Sequence, residues 1–343
     1  LHLTTRQDIQ IHHVSLDRTP ELWAELEQDQ ITLREACGNT VRNVTASALA
    51  GIDPNEPFDV TPYADAFFRY FLRNPVCQEM GRKFKVAFSS GREDTALTFM
   101  HDLGFIPRVR EEQGRVVRGF RVLIGGGLGA QPQVAQPAVE FLPADRIIPF
   151  AESLLRVFDH HGERARRNKA RFKYLLRDWG LEKVLAAAAE ERLALPHRSI
   201  PIPEEAEPVN LPDIAPAPVA VKDARKFRNW KATNLYAQKQ PGYFAVALKV
   251  STGDFSAAVA RQLAAVVRQF AADDIRATVN QGMMLRYIPT ASLPAVFNAL
   301  DAIGLAEPGF DSVLDITACP GTDTCNLGIT SSTGITRALQ AVL

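Results

Sequence analysis

Cys319 and Cys325 bracket a short loop that contains glycine and proline, Cys319-Pro320-Gly321-Thr322-Asp323-Thr324-Cys325. Two thiolates spaced in this way reach one soft metal centre, and iron–sulfur clusters are held by four such ligands. The pair therefore makes half of a cluster site. The same spacing is equally compatible with two unrelated buried cysteines, because free cysteine is among the most buried side chains. Cys37 and Cys77 read as packing residues. A second group of side chains is cationic. Arg82, Lys83 and Lys85 are adjacent, and the two lysines fall on one face of a predicted strand whose other face carries Phe84, Val86 and Phe88. Like charges gathered in this way are unfavourable unless they face water or an anion. A solvated sheet face satisfies that condition. So does a polyanionic ligand or anionic substrate, and further groups favour the ligand: Arg6, Gln10 and His12 share one face of another predicted strand, and Arg42 lies in the loop-like Gly38-Asn39-Thr40-Val41-Arg42-Asn43.

Gly125-Gly126-Gly127-Leu128-Gly129-Ala130 has the outline of a dinucleotide-binding fingerprint. That motif must run into a helix, and Pro132 and Pro137 block one. The run reads instead as a backbone nest whose N–H groups face anionic oxygens, or as a tight turn. A nicotinamide dehydrogenase has no support beyond these glycines. His12-His13 and His160-His161 lack the spacing of helical metal ligands, and all but His12 read as surface or core histidines. The basic stretch from Arg156 to Arg177 reads as a solvated helix face, with the alternative of lining an acidic cofactor or an electron-donor site. No nucleophile-elbow or Ser-His-Asp pattern is present.

The elements that position these groups follow from periodicity. Residues 3–12, 83–88 and 120–124 read as strands, and residues 62–73 and 146–178 as helices. Further on, a strand at 243–250 precedes a helix at 255–270 with Asp254 as its N-cap; strands at 275–279 and 283–288 and a helix at 292–303 follow. That order, β-α-β-β-α, is a ferredoxin-like half unit. Seven of the 22 prolines fall within 196–218, which predicts an extended connector between two parts. A weak repeat relates the parts. Thr4-Thr5-Arg6-Gln7-Asp8-Ile9-Gln10-Ile11-His12 aligns with Thr278-Val279-Asn280-Gln281-Gly282-Met283-Met284-Leu285-Arg286, and Ala36-Cys37 is echoed by Ala318-Cys319.

Composition bounds the reading. The 343 residues carry 39 Lys+Arg and 39 Asp+Glu, with 46% hydrophobic and 23% charged residues. This is globular composition; it excludes a disordered chain and argues against a nucleic-acid binder working by bulk charge. No stretch approaches the ~18 apolar residues of a membrane span. Four cysteines are too few for a disulfide scaffold, so a reducing, cytoplasmic setting is expected.

Taken together, these residues resemble the siroheme-dependent sulfite and nitrite reductases. The matches run in family order: Thr4 to His12, Val41-Arg42-Asn43-Val44, Arg82-Lys83-Phe84-Lys85, Leu123 to Leu128, Arg167-Asn168-Lys169-Ala170-Arg171, Asn280-Gln281, and Thr317-Ala318-Cys319 through Cys325-Asn326. The resemblance implies an α+β fold with a pseudo-twofold repeat of ferredoxin-like halves and larger α+β domains that hold siroheme and a 4Fe–4S cluster. The expected divisions are 1–14 (end of a first ferredoxin-like half), 15–195 (first reductase domain), 196–229 (linker), 230–308 (second half) and 309–343 (start of the cluster-binding domain). It implies that Arg42, Lys83 and Lys85 surround the substrate anion. Arg6, Gln10, His12, Arg82, Gly125, Gly126, Gly127, Asn280 and Gln281 would contact siroheme, and Cys319 and Cys325 would ligate the cluster. The family's second cysteine pair and a further arginine are expected beyond the two ends, which makes this sequence an expected internal piece of a longer reductase. The implied activity is six-electron reduction of sulfite to sulfide, with ferredoxin or a flavoprotein as donor. Lys85 favours sulfite, because the family tends to place Asn there for nitrite. Nitrite reduction and a non-catalytic apo scaffold are the alternatives.

Overall fold

The computed structural model describes residues 1–206, 208–211 and 219–343. The chain divides into two compact units, Leu1–Thr19 with Pro208–Leu343, and Pro20–Glu207. It opens on a small antiparallel hairpin, β1 (His2–Leu3) and β2 (Ile9–Gln10). The single strand expected at 3–12 is therefore broken. Thr4 N–H donates to Asp8 O (2.9 Å), Asp8 N–H to Thr4 Oγ1 (3.2 Å), and Gln7 adopts φ 60°, which folds the chain back on itself. Arg6 consequently sits in the turn and Gln10 on the return strand, so they do not share one strand face with His12. Helix α1 (Thr19–Gln28) follows and buries no side chain.

The unit at 20–207 is built on a five-stranded sheet, β3 (Val41–Ala46), β4 (Phe84–Phe88), β5 (Leu103–Glu112), β6 (Arg115–Ile124) and β7 (Gln136–Pro143), in that spatial order. β3, β4 and β5 are parallel, and β5, β6 and β7 antiparallel. The β5–β6 turn is Gln113-Gly114, with φ 51° and 75°, the two-residue geometry that matches strand twist. Helix α2 (Thr61–Phe71) places Tyr63, Phe67 and Phe71 on one stripe at i, i+4 and i+8. Phe67 meets Phe88 and Phe105, and Phe120 closes the cluster against Phe58 and Tyr63. Phe84, Val86 and Phe88 are buried as predicted and Lys85 is only partly so, while Ala87 on the other face is buried as well. Helices α3 (Ile147–His161), α4 (Phe172–Trp179) and α5 (Leu181–Ala194) complete the unit, so the long helix expected at 146–178 is interrupted after Gly162. The proline-rich stretch is no free connector at its described ends. Ile200 N–H bonds Asp145 O (2.7 Å), Ile200 and Ile202 pack on the aromatic core, and Asn298 pairs with Ala220 and Lys222. Pro212, Pro216 and Pro218 lie outside the described residues.

The other unit adds α6 (Ala224–Asn234), β8 (Leu235–Ala237), β9 (Tyr243–Leu248), α7 (Ala257–Phe270), β10 (Ile275–Ala277), β11 (Met283–Pro289), α8 (Leu293–Ala302) and α9 (Ser332–Gln340). The sheet order is β10-β11-β9-β8, all antiparallel. Trp230, Val267, Phe270 and Phe297 lie in its core. Ser256, not Asp254, caps α7, accepting from Val259 N–H at 3.2 Å; the Asp254 carboxylate is turned instead to His2 Nδ1 at 2.8 Å.

The repeat read from sequence is a structural one. His2 pairs with Gln10 and Leu3 with Ile9, while Arg276 pairs with Met284 and Ala277 with Met283, the same register under the alignment. Gln7 and Gln281 both take φ 60°. Each also reaches the other hairpin: Gln7 Nε2 donates to Ala277 O (2.8 Å) and Gln281 Nε2 to Leu3 O (3.1 Å), and Leu3 and Ala277 are themselves aligned. The two hairpins thus clasp each other reciprocally. No helix among the described residues is long and apolar enough to cross a membrane. Phe88 stacks on Phe105 at 4.6 Å and is wholly buried, so Phe88→Ala is expected to remove about 3–5 kcal/mol from the denaturant unfolding of its unit.

Candidate functional site

The site groups fall into two sets, one in each unit. In the unit that contains the chain start, a pocket of about 280 Å³ is lined by His2, Thr4, Thr5, Gln10, Gln281, Thr317, Ala318, Cys319 and Pro320. Gln10, Gln281 and Cys319, far apart in sequence, are brought together here. Gln281 is buried, and its amide holds the cysteine segment at both backbone polar groups: Nε2 donates to Ala318 O (2.8 Å) and Oε1 accepts from Ala318 N–H (2.7 Å). The Asn280 amide is directed to Asp311 Oδ1 (2.8 Å). Both amides thus hydrogen-bond within the protein, and Gln281 acts as a clamp on the Cys319 loop. His12 stands edge-on to His2 at 6.0 Å, and its Nε2 is buried without a hydrogen-bond partner. Burial, His2 and His13 push its imidazole down, toward the neutral form.

Cys319 and Cys325 are both exposed, in one loop. Gly321 (φ 58°) lets that loop fold, because a Cβ there would stand 2.7 Å from Thr330 O. Cys325 N–H returns to Gly321 O (3.0 Å). The Cys319 thiol faces Ser332 Oγ at 3.3 Å, and that contact, with the Gly321 backbone, lowers its pKa. Cys77 is a packing residue as expected: it is buried, and burial pushes its thiol up to about 11. Cys37 departs from expectation and is exposed.

The unit at 20–207 gathers the cations. Val41 pairs with Phe84, which sets Arg42 and Lys85 one step further along neighbouring parallel strands. Arg42 donates to Ala36 O. Lys83 is pushed down by burial and then by Arg171, Arg42 and Arg82, with Asp102 opposing. Arg82 is pushed down by burial and then by Arg167, Arg171 and Arg42. Five cationic side chains therefore share one field. Asp102, fully buried, accepts from Lys85 N–H (2.8 Å) and from Arg171 Nη2 (2.7 Å) at the same oxygen. The Arg167–Arg171 run was legible as basic, but nothing in the sequence singled out Asp102.

The glycine run departs from the predicted nest. Gly125 N–H donates to Asp102 O, Gly126 N–H to His101 O and Gly127 N–H to Gln133 O, each at 2.9 Å, so these amides are spent within the chain. The glycines are needed for close approach instead: a Cβ on Gly126 would stand 2.4 Å from Phe99 O. Nor is the basic stretch simply solvated. Lys173 is buried, with its ammonium on the carbonyls of Gly127 (3.3 Å), Leu128 (3.2 Å) and Gln131.

Fold, repeat and cation set define a class, and sequence comparison agrees with it. Residues 37–196 match the nitrite and sulphite reductase 4Fe-4S domain, and residues 1–29 and 236–303 match the nitrite/sulfite reductase ferredoxin-like half domain. The chain belongs to the nitrite and sulfite reductase family. It is 30% identical over 341 residues to the assimilatory ferredoxin-dependent nitrite reductase of Haloferax mediterranei, covering 96% of this chain and 55% of that protein. It is 28% identical to sulfite reductase [ferredoxin] 1 of Mycolicibacterium paratuberculosis, covering 98% and 56%. The solved structure of Mycobacterium tuberculosis NirA matches all of this chain and 58% of its own with a TM-score of 0.81 at 28% identity. The chain thus spans a little over half the length of these relatives.

The family's cofactors are siroheme and a 4Fe–4S cluster. The crowded cations of the 20–207 unit, of which Arg171 is paired with the buried Asp102, fit the acidic groups of such a macrocycle and a small oxyanion. Among the described residues the four-thiolate donor set of a cluster is not brought together. A cluster takes four thiolates, the loop presents Cys319 and Cys325, and no group of three or more metal-ligating side chains occurs among the described residues.

Two outcomes follow from these contacts. Gln281→Ala strips Ala318 of both partners and is expected to cost about 2–3 kcal/mol in the unfolding of its unit, measured by urea titration. The Lys83 ammonium is depressed in the folded state, so between its folded value and the ordinary ~10.4 the unfolded chain binds more protons and stability rises with pH. Lys83→Met is therefore expected to raise Tm by roughly 1–3 °C near pH 7, with the gain shrinking as pH approaches about 10.

Proposed function

We propose that this chain is the anion-binding part of an assimilatory sulfite reductase, which reduces sulfite to sulfide with six electrons and takes them from a ferredoxin. The observation that carries the reading is the cation set: Arg42, Arg82 and Arg171 act on Lys83, Arg167 acts on Arg82, Lys85 lies on the same strand as Phe84, and the Asp102 carboxylate opposes them at Lys83. Siroheme and the cluster, when bound, supply the redox chemistry, as cofactors do in such enzymes. The chain's own residues would do the rest. Arg42, Lys83 and Lys85 neutralise an oxyanion in a site partly withdrawn from water, where fixed cations act more strongly than in solution. Lys83, pushed down by burial and by three arginines, is brought nearer the range in which an ammonium releases a proton to a reacting oxygen. Arg6, Arg82 and the Gly125–Gly127 run would contact the macrocycle, Gln10 and His12 would do so from the hairpin pocket, and Asn280 and Gln281 would position that wall. Cys319 and Cys325 would each give the cluster one thiolate.

Lys85 supports sulfite over nitrite, because the more highly charged anion gains more from an added cation. The ferredoxin donor is supported by the names of the relatives, which include both ferredoxin-dependent nitrite and ferredoxin-dependent sulfite reductases. The test is kcat/KM of the full-length enzyme on each anion. Sulfite is expected to be the better substrate, and Lys85→Asn is expected to lower its kcat/KM by about tenfold or more while affecting nitrite less. A higher kcat/KM for nitrite in the unmodified enzyme overturns the choice of sulfite.

A further inference from the structure

Asp102 joins the Lys85 backbone, the Arg171 guanidinium and the start of the glycine run. It immediately precedes β5, at the point where the β4–β5 ladder starts with Val86 opposite Leu103. There its side chain takes the place of a backbone acceptor: Oδ2 receives Lys85 N–H at 2.8 Å, which fixes the strand position from which the Lys85 side chain departs. The same oxygen receives Arg171 Nη2 at 2.7 Å. The Asp102 backbone carbonyl receives Gly125 N–H at 2.9 Å, anchoring the entry to the glycine run. The exit of that run is held from the other side, since Lys173, two residues beyond Arg171, grips the Gly127 and Leu128 carbonyls.

We propose that Asp102 is the positioning residue of this site: one buried residue that fixes the Lys85 backbone, the Arg171 guanidinium and the start of the glycine run in a single arrangement. The proposal rests on reading the cation set as the anion site, and adds to that reading a group that touches neither substrate nor cofactor. Three features argue for a role beyond packing. The carboxylate is wholly buried, and a buried charge is retained at a cost that an apolar residue would avoid. Its other oxygen, Oδ1, has no hydrogen-bond partner, and neither has Arg171 Nε, so the pair is not arranged for maximum bonding. A neutral acceptor would satisfy the Lys85 amide alone; a full charge is required only to hold a guanidinium among other cations.

The role separates into two measurable parts. Asp102→Ala removes acceptor and charge. Asp102→Asn keeps an oxygen for the Lys85 amide and removes only the charge. The full-length enzyme and both variants would be compared by amide hydrogen exchange without substrate and by steady-state kinetics with inorganic sulfite. In Asp102→Ala the Lys85 and Gly125 amides are expected to exchange together about tenfold faster or more. The sulfite KM is expected to rise about tenfold while kcat changes by less than about threefold, the signature of lost binding geometry. Asp102→Asn is expected to restore slow exchange at Lys85 but keep the raised KM, because Arg171 is no longer held. Unchanged exchange at both amides in Asp102→Ala, or a KM within about twofold of wild type in Asp102→Asn, overturns the proposal. Should the alanine variant not fold, the asparagine variant decides through its KM. A wild-type enzyme that turns over neither sulfite nor nitrite would instead overturn the anion-site reading, and the exchange comparison would still decide whether Asp102 couples the three elements.

Discussion

The cation-bearing unit turns on the ion pair of Arg171 with Asp102, a guanidinium 2.7 Å from a carboxylate that solvent does not reach. Burying such a pair gives little stability by itself, because desolvation offsets most of the attraction. Its effect is on geometry. Arg42, Arg82, Lys83 and Arg167 repel one another, and side chains in mutual repulsion spread into solvent unless something fixes them. The fixed negative charge lets the parallel strands β3 and β4 carry cations at their open ends while the opposite face of β4 stays in the aromatic core. The core and the site are thus two faces of one five-residue strand, and the rigidity of Phe84, Val86 and Phe88 is what makes the position of Lys85 definite.

The other unit solves a different problem. An exposed loop with two thiols has no core to hold it, and it is pinned by backbone hydrogen bonds to a buried amide. Gln281 meets both polar groups of Ala318, and the residue after Ala318 is Cys319. The thiol's position is therefore set by the hairpin at Thr278–Gly282. That hairpin is braced in turn by the first one through His2 and Leu3.

Much of this was legible in the sequence because it rests on local rules. Period-two alternation found β4, the β-α-β-β-α order found the ferredoxin-like half, and the Thr-x-x-Gln echo found a repeat that the structure shows to be two hairpins of matching register. What was not legible depends on partners distant in the chain. The strand expected at 3–12 was a hairpin because Thr4 and Asp8 close a turn that alternation cannot register. The glycine run reads as a nest or a tight turn, because its sequence does not reveal that Asp102, His101 and Gln133 take its N–H groups. Asp102 itself looks like any other acid; its importance comes from a strand 17 residues earlier and an arginine 69 residues later. Asp254 looked like a helix cap because it precedes one, yet His2 claims its carboxylate.

The reciprocal bonds between the Gln7 and Gln281 hairpins join residues 270 and 278 positions apart. At translation rates of about 5–20 residues per second, the first hairpin waits roughly 15–50 s for its partner to be made. The 20–207 unit is synthesised in that interval and has all its strands to hand before the other unit has more than its first hairpin. The order of assembly is therefore built into the chain path: the unit continuous in sequence completes first, and the discontinuous one closes last, around a contact of very high sequence separation.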